Sequence, residues 1–269
     1  MDRNLIGKTD IKASIIGLGT VKLGRNKGVK YPKAFTIPND KEALHILNVA
    51  SDCGINLIDT APAYGNSEER LGQLLKKTHN EWIISTKVGE VFNHATGKSR
   101  YCFTPEFIEQ SIKNSLKHLQ REQIDIVLIH SNGDDEKIIK EYGALEILNH
   151  FKHQGIIRAT GMSSKTIEGG LLTLKHADIA MVTHNLEYQK QSDVIAYAHQ
   201  HNKGIFIKKA LASGHAAHIN NQGDPITKSF ECIFQQPGVN SIILGSITPK
   251  HIRDNAAKAI KVFNRALSQ

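Results

Sequence analysis

Short apolar runs of four or five residues alternate along this chain with amphipathic segments of ten to fifteen. Ser14–Leu18, Leu57–Asp59, Trp82–Thr86, Ile126–His130, Ile157–Gly161, Met181–Thr183, Gly204–Lys208 and Ser241–Leu244 read as strands. Their apolar positions are consecutive rather than alternate, as parallel strands covered on both faces require. Helical spacing runs through Lys41–Asp52, Glu68–Lys76, Pro105–Leu119, Ala144–His153, Thr166–Lys175, Asp193–His201, Ile226–Gln235 and Pro249–Ala259. The pattern predicts eight strands and eight helices in strict alternation.

The joints agree. Gly54, Gly155 and Gly204 each separate a helix from a strand, and Gly238 does so before Val239. Glycine after a helix takes the left-handed conformation that stops it cleanly. Thr104-Pro105 and Thr248-Pro249 put a capping hydroxyl before a proline at the first helical position. Asn39-Asp40 and Ser67-Glu68-Glu69 mark two further helix starts. No linker rich in Pro, Gly or Ser interrupts the series, so residues 1–269 read as one domain.

Two folds suit such a series. An open doubly wound sheet carries Gly-x-Gly-x-x-Gly after its first strand. Gly17-Leu18-Gly19-Thr20-Val21-Lys22 lacks the third glycine. The expected fold is therefore an α/β closed (β/α)8 TIM barrel, with NLIGKTDIKASIIG as a short N-terminal hairpin closing its bottom.

Composition narrows the classes. The 269 residues are 40% hydrophobic and 22% charged, with a net charge of +8. The basic residues are scattered and not interleaved with aromatics, so no nucleic-acid partner is expected. No apolar run nears the roughly 18 residues of a membrane span. The opening MDRNLIGKTD lacks an apolar signal core. Cys53, Cys102 and Cys232 are odd in number and far apart, which reads as packing residues in a reducing, cytoplasmic setting. A monomer is the default expectation. His199/His201 and His215/His218 have metal-like spacing but no carboxylate or cysteine set beside them, and read as structural or surface histidines.

In such a barrel the chemistry sits where strands end at the C-terminal face. Asp59 ends NLID, Lys87 follows WIIST, and His130 ends IDIVLIH, while Tyr64 lies in the loop after Asp59. Singly, each has an ordinary explanation: a turn cap, a lysine reaching from the rim, a hydrogen-bonded histidine, loop packing. Together on one face they suggest a site. A phenol titrates near 10 unaided, and an adjacent cation lowers that value. Lys87, held charged by Asp59, is thus expected to lower the Tyr64 phenol and make it a general acid for carbonyl reduction. His130 would hydrogen-bond the carbonyl oxygen as charge develops there. This scheme needs no metal.

These residues resemble the aldo-keto reductase family. Asp59-Thr60-Ala61-Pro62-Ala63-Tyr64-Gly65 looks like its D-T-A-x-x-Y-G motif, Ser85-Thr86-Lys87 like its lysine strand, and Leu128-Ile129-His130 like its histidine strand. The likeness runs from LIGKTDIKASIIGLGT to GSITPKHIRDN. It implies a catalytic tetrad of Asp59, Tyr64, Lys87 and His130, and a barrel that binds NADPH extended across its top without metal or flavin.

By the same resemblance, Gly19, Thr20 and Asp59 would border the cofactor, and Ser163 and Ser164 would meet the nicotinamide. Lys208, Ala210, Leu211 and Gly214 belong to the segment reaching over the pyrophosphate. Gly245, Ser246, Thr248 and His251 would hold the adenosine phosphate, with Asp254 and Asn255 near the adenine. Some positions depart from the family: Ser164 stands for an asparagine, Met181 for a glutamine, and Lys208 for the aromatic that stacks on the nicotinamide. Gly245 and His251 replace a lysine and an arginine, but Lys250, His251 and Arg253 keep positive charge there and favour NADPH, with NADH the alternative.

The expected partner is a small-molecule carbonyl substrate, selected by the loops Val21–Asn39, Gly89–Phe103 and Ser131–Gly143. Val91, Phe92, Tyr101 and Phe103 hint at an apolar, aromatic-lined pocket, with simple packing of the loop as the alternative. The altered nicotinamide contacts leave an alternative, a nucleotide-binding regulatory or interaction protein with little turnover. A barrel phosphatase or aldolase would need a metal-ligand set or a Schiff-base lysine, and Asp59 and Tyr64 argue against it.

Overall fold

Strands that are apolar on both faces must be covered on both, and a closed sheet ringed by helices achieves this. The computed structural model, which describes residues 1, 3–212, 214 and 223–268, has that form. A first hairpin, β1 (Arg3–Leu5) and β2 (Lys12–Ser14), is followed by β3 (Ile16–Gly19), α1 (Val21–Gly24) and α2 (Asp40–Asp52). Next come β4 (Leu57–Asp59), α3 (Ser67–Leu74), β5 (Ile83–Val88), a second hairpin of β6 (Glu90–Asn93) and β7 (Lys98–Tyr101), and α4 (Pro105–Leu119). The middle of the chain forms β8 (Ile124–His130), α5 (Asp135–Lys140), α6 (Ala144–His153), β9 (Ile157–Ser163) and α7 (Ile167–His176). It closes with β10 (Ile179–Thr183), α8 (Ser192–His201), β11 (Gly204–Lys208), α9 (Pro225–Phe234), β12 (Ser241–Leu244) and α10 (Pro249–Leu267). The ring runs β3-β4-β5-β8-β9-β10-β11-β12 and returns to β3, parallel throughout.

Side-chain parity explains what reaches the rim. Leu57, Ile126, Leu128, Ala159, Ile179, Met181 and Phe206 form one buried cluster inside the barrel. Their neighbours Ile58, Ile84, Val127, Ile129, Ile205 and Ile207 pack outward under the helices. Successive strand residues point to opposite faces, so the inward set continues two residues on to Asp59, His130, Ser163, Thr183 and Lys208, with Lys87 next to outward Val88. One strand period thus aims six polar side chains at the same opening.

The N-terminal hairpin closes the other end. Ile6, Ile11 and Ala13 join the interior cluster and are fully buried, while Asn240 Nδ2 donates to Leu5 O at 3.0 Å. Gly161 lets β9 and β10 approach, since a Cβ there would lie 1.9 Å from Ile179 O.

Three features differ from the sequence reading. Residues 90–101 form a hairpin instead of a loop; α1 and α5 are additional short helices; and α10 runs to Leu267, eight residues past the expected end at Ala259, because Val262 continues its buried face. Thr104 caps α4 by accepting from Phe107 N, and Asn39 forms a reciprocal capping box with Glu42 on α2. Thr248 makes no side-chain cap on α10, and Ser67 lies inside α3 with its hydroxyl on Thr20. On α8, His201 stacks on Tyr197 at 3.9 Å; His215, His218 and Ser213 lie outside the described residues. The three cysteines are free thiols, and no described helix is long and apolar enough to cross a membrane.

Candidate active site

Adjacent strands β4 and β5 bring a carboxylate and an amine together inside the rim. Lys87 is 1% exposed and Asp59 3%. Lys87 Nζ donates to both Asp59 oxygens at 2.7 Å and to Thr60 O at 2.9 Å. Three acceptors match the three protons of an ammonium group. Burial lowers the lysine's proton affinity, and the Asp59 carboxylate opposes that loss. Ser85 Oγ donates to Asp59 Oδ1 at 3.3 Å and holds the acid from the neighbouring strand.

Tyr64 ends a 3-10 turn, Pro62–Tyr64, that folds back over this pair. Gly65 follows at φ +71, and a Cβ there would sit 2.0 Å from Gly24 O, so the turn closes only with glycine at this position. Lys87 Nζ lies 4.7 Å from the Tyr64 ring centroid, and His130 meets the same ring edge-on at 6.1 Å. The phenol nonetheless does not respond as the sequence suggested. Burial, then the Asp59 and Glu90 carboxylates, push Tyr64 well above its ordinary value. Asp59 neutralises the lysine at contact distance, so the phenol meets an ion pair instead of a free cation. Tyr64 is therefore held protonated.

His130 brings in a residue that sequence reasoning missed. Its Nδ1 lies 2.8 Å from Glu90 Oε2, off the line of an ideal hydrogen bond. Ser99 Oγ donates to Glu90 Oε1 at 2.5 Å, and Arg25 Nη1 approaches the same oxygen at 3.5 Å. Burial alone would raise the Glu90 carboxyl, but His130, Ser99 and Arg25 outweigh it and hold it at about 2. Arg25 is itself fixed, stacked 3.7 Å over Phe92 and donating to Ala63 O at 3.0 Å. The available signal was the Asn93–Gly97 turn between two strand-like runs, which marks a hairpin starting three residues past Lys87.

Three abutting cavities cross the top of the barrel. The central one, about 540 Å³, is lined by Gly19, Asp59, Tyr64, Lys87, His130, Ser163, Met181, Lys208 and Gly245, with Arg25, Lys30, Glu90, Ser99, Tyr101 and Lys165 on the outer wall. A second, of about 610 Å³, opens from His130, Ser163 and Lys208 toward Thr183 and Asn185. A third, of about 440 Å³, runs past Ala210, Leu211, Gly214, Gly245, Ser246 and Asn255, and adds Lys22, Tyr31, Lys33 and Lys209.

The remaining expected cofactor residues fall elsewhere. Thr20 is fully buried and donates to Asp59 O at 3.0 Å; Ser164 is fully buried, its carbonyl accepting from Lys208. Thr248, His251 and Asp254 lie outside the cavity walls, and His251 and Asp254 are exposed on α10. Of the two readings of the aromatic residues, loop packing holds for the phenylalanines. Phe92 is buried under Arg25 and Phe103 under Gly89, and only Tyr101 of the four expected residues reaches the cavity. The loops turn their apolar side chains inward to pack, which leaves a polar, cationic wall.

Lys208 Nζ donates to Ser163 Oγ at 2.8 Å and Ser164 O at 2.7 Å. Burial, then the Lys209 charge, outweigh Asp135 and lower it to about 7. The next residue, Lys209, has φ +56, a left-handed conformation that redirects the chain over the groove.

A barrel with this rim has known counterparts. The aldo/keto reductase family model matches residues 15–232. A Pseudomonas aeruginosa protein whose crystal structure carries the same family name is 46% identical, over 97% of this chain and 95% of that one, with a TM-score of 0.86. The NADH-specific methylglyoxal reductase of Escherichia coli is 27% identical over 94% of this chain and 91% of its own length. L-galactose dehydrogenase of Arabidopsis thaliana is 24% identical over 98% and 90%. The chain belongs to the aldo/keto reductase family, and is an oxidoreductase that couples a nicotinamide cofactor to carbonyl reduction.

The buried pair yields a stability prediction. Asp59→Asn leaves the Lys87 ammonium without its counter-charge, which is expected to cost about 3–5 kcal/mol near neutral pH. The folded-state lysine already binds its proton less tightly than the unfolded chain does. The variant widens that gap, so its deficit shrinks as pH rises toward the unfolded lysine value near 10.4. Urea unfolding of both proteins from about pH 7 to about pH 10 checks this; a deficit independent of pH contradicts it.

Proposed function

We propose that this chain reduces a small, polar aldehyde or ketone with NADPH, and that Tyr64 supplies the proton. The observation that carries the reading is the triply bonded Lys87 ammonium lying 4.7 Å from the Tyr64 ring, with His130 on the ring's edge in the same cavity. When bound, the nicotinamide would deliver a hydride to the carbonyl carbon. As the C=O electron pair moves onto oxygen, Tyr64 Oη gives its proton to that oxygen. The Lys87–Asp59 pair keeps a positive centre beside the phenolate so formed, and His130 orients the oxygen. A phenol held neutral by its surroundings is loaded for donation.

The groove suits an extended dinucleotide. Lys22, Lys33 and Lys209 line the cavity that also holds Ser246 and Asn255, supplying cations for phosphates. That charge supports NADPH; the Escherichia coli relative, named NADH-specific, makes the opposite preference the outcome to exclude. The polar outer wall of Lys30, Ser99, Tyr101 and Lys165 supports a substrate bearing further oxygens. The relatives named for methylglyoxal and L-galactose fit that class.

Tyr64→Phe is expected to lower single-turnover hydride transfer to such an aldehyde by about 10²–10⁴-fold, with NADPH and NADH binding by fluorescence titration little changed. Unchanged transfer in the variant rejects Tyr64 as the acid. A wild-type protein that binds cofactor but reduces no aldehyde or ketone supports the regulatory alternative.

Lys208 gives a second, pH-dependent outcome. It lines the cavity with Tyr64 and His130, so the hydride donor must lie near it. The nicotinamide ring is neutral when reduced and cationic when oxidised, and an ammonium beside it penalises only the oxidised form. With Lys208 titrating at about 7, the ratio Kd(NADP+)/Kd(NADPH) should fall as pH rises through that value. We expect at least a threefold fall from about pH 6 to about pH 8, and a flat ratio in Lys208→Met. The phosphates common to both cofactors cancel from the ratio. A pH-independent wild-type ratio contradicts this placement.

A further inference from the structure

The proposed chemistry uses Asp59, Tyr64, Lys87 and His130, yet the rim contains another buried charge. Glu90 is 9% exposed, lies on β6 immediately beyond the lysine strand, and turns back toward the barrel axis. Its two oxygens face different ways. Oε2 meets His130 Nδ1 at 2.8 Å; Oε1 is held by Ser99 Oγ at 2.5 Å and by Arg25 Nη1 at 3.5 Å. Arg25 is clamped in turn by the Phe92 ring and by the carbonyls of Lys27, Gly28 and Ala63. The carboxylate therefore sits in a rigid mount whose free end points at one ring nitrogen.

A carboxylate accepts hydrogen bonds and does not donate them. With Nδ1 2.8 Å from a carboxylate oxygen, the tautomer that avoids lone-pair repulsion carries its proton on Nδ1, and in the neutral ring this leaves Nε2 as the acceptor. His130 then donates to a substrate oxygen only after taking a second proton, which Glu90 stabilises. We propose that Glu90 is a positioning residue for the reaction. It fixes His130 with the Nδ1 proton on the carboxylate and Nε2 toward the carbonyl oxygen, so that doubly protonated His130 assists reduction and singly protonated His130 does not. The proposal rests on the carbonyl-reductase reading of this site.

The proton count closes for reduction: the Nε2 proton hydrogen-bonds the oxygen while Tyr64 transfers its own proton, and water re-protonates Tyr64. Facing His130 from the surrounding elements are Tyr64 and Asp59 from the β4 end, Lys87 from β5, Glu90 from β6, Lys165 after β9, Lys208 from β11, and Arg25 behind Glu90. Burial lowers the proton affinity of His130, Glu90 raises it, and Lys87 and Lys208 lower it again. Among these groups Glu90 is the counter-charge in contact with the ring.

The test compares wild type with Glu90→Gln, which keeps the shape and removes the charge. In wild type, kcat for aldehyde reduction should fall as pH rises through one apparent pKa. In Glu90→Gln that limb should move to lower pH by about one unit or more, with reduction at neutral pH down about 10-fold and KM within about twofold. Glu90→Asp should restore part of the shift. A uniform loss of kcat with an unmoved pH profile assigns Glu90 a merely structural role and overturns the proposal.

A second measurement needs no variant. Nitrogen chemical shifts of the wild-type His130 ring above its pKa should report the Nδ1–H tautomer; the Nε2–H tautomer overturns the proposal even if Glu90→Gln does not fold. Wild type without carbonyl turnover, but with the Nδ1–H tautomer, would place the fault in the reductase reading and not in the Glu90–His130 pairing.

Discussion

A lysine ammonium buried at 1% exposure needs a counter-charge and three acceptors, and this barrel supplies both at one point. An isolated charge there would cost far more than any other single feature of the rim. Meeting the requirement fixes the ends of β4 and β5 against each other and fixes Thr60, whose carbonyl takes the third proton. Thr20, buried behind them, ties the end of β3 to the same carboxylate residue through Asp59 O. The loop that carries Tyr64 starts from this anchored segment, so the phenol inherits its position from the ion pair.

The same pairing sets the electrostatics. Because Asp59 consumes the lysine's charge at 2.7 Å, Tyr64 experiences burial and two carboxylates more strongly than any cation. Under the proposed reading it is an acid that keeps its proton until a substrate oxygen becomes basic enough to take it. The positive centre matters later, when transfer leaves a phenolate beside Lys87. The Lys87 pair, the Arg25–Glu90–His130 chain and Lys208 on Ser163 thus divide the rim into three supported positions around one cavity.

Much of this was legible in the sequence because it depends on period. Asp59, His130 and Lys208 stand two residues beyond interior Leu57, Leu128 and Phe206, and the apolar runs locate the strand ends that carry them. The hairpin plug was visible as well, in the opening NLIGKTDIKASIIG, whose Ile6, Ile11 and Ala13 join the interior cluster. What stayed hidden depends on contacts between distant segments. Glu90 looked like a loop residue, since only the folded β6–β7 hairpin turns it toward His130. Thr20 and Ser164 were expected beside the cofactor, and their internal bonds, Thr20 Oγ1 to Asp59 O and Lys208 Nζ to Ser164 O, depend on distant segments. Phe92 and Phe103 fitted either an apolar pocket or loop packing, and they support Arg25 and Gly89 from below. The direction of the Tyr64 shift required knowing that Asp59 contacts the lysine more closely than the phenol does.

The central claim is that compensation by Asp59 leaves Tyr64 neutral across the working pH range. Ultraviolet difference titration of wild type against Tyr64→Phe isolates this one phenol among the chain's 6 tyrosines. The account predicts that no tyrosinate signal assignable to Tyr64 emerges below the ordinary phenol value of about 10. A Tyr64 that ionises near neutrality would contradict it, because the lysine would then be acting as a free cation.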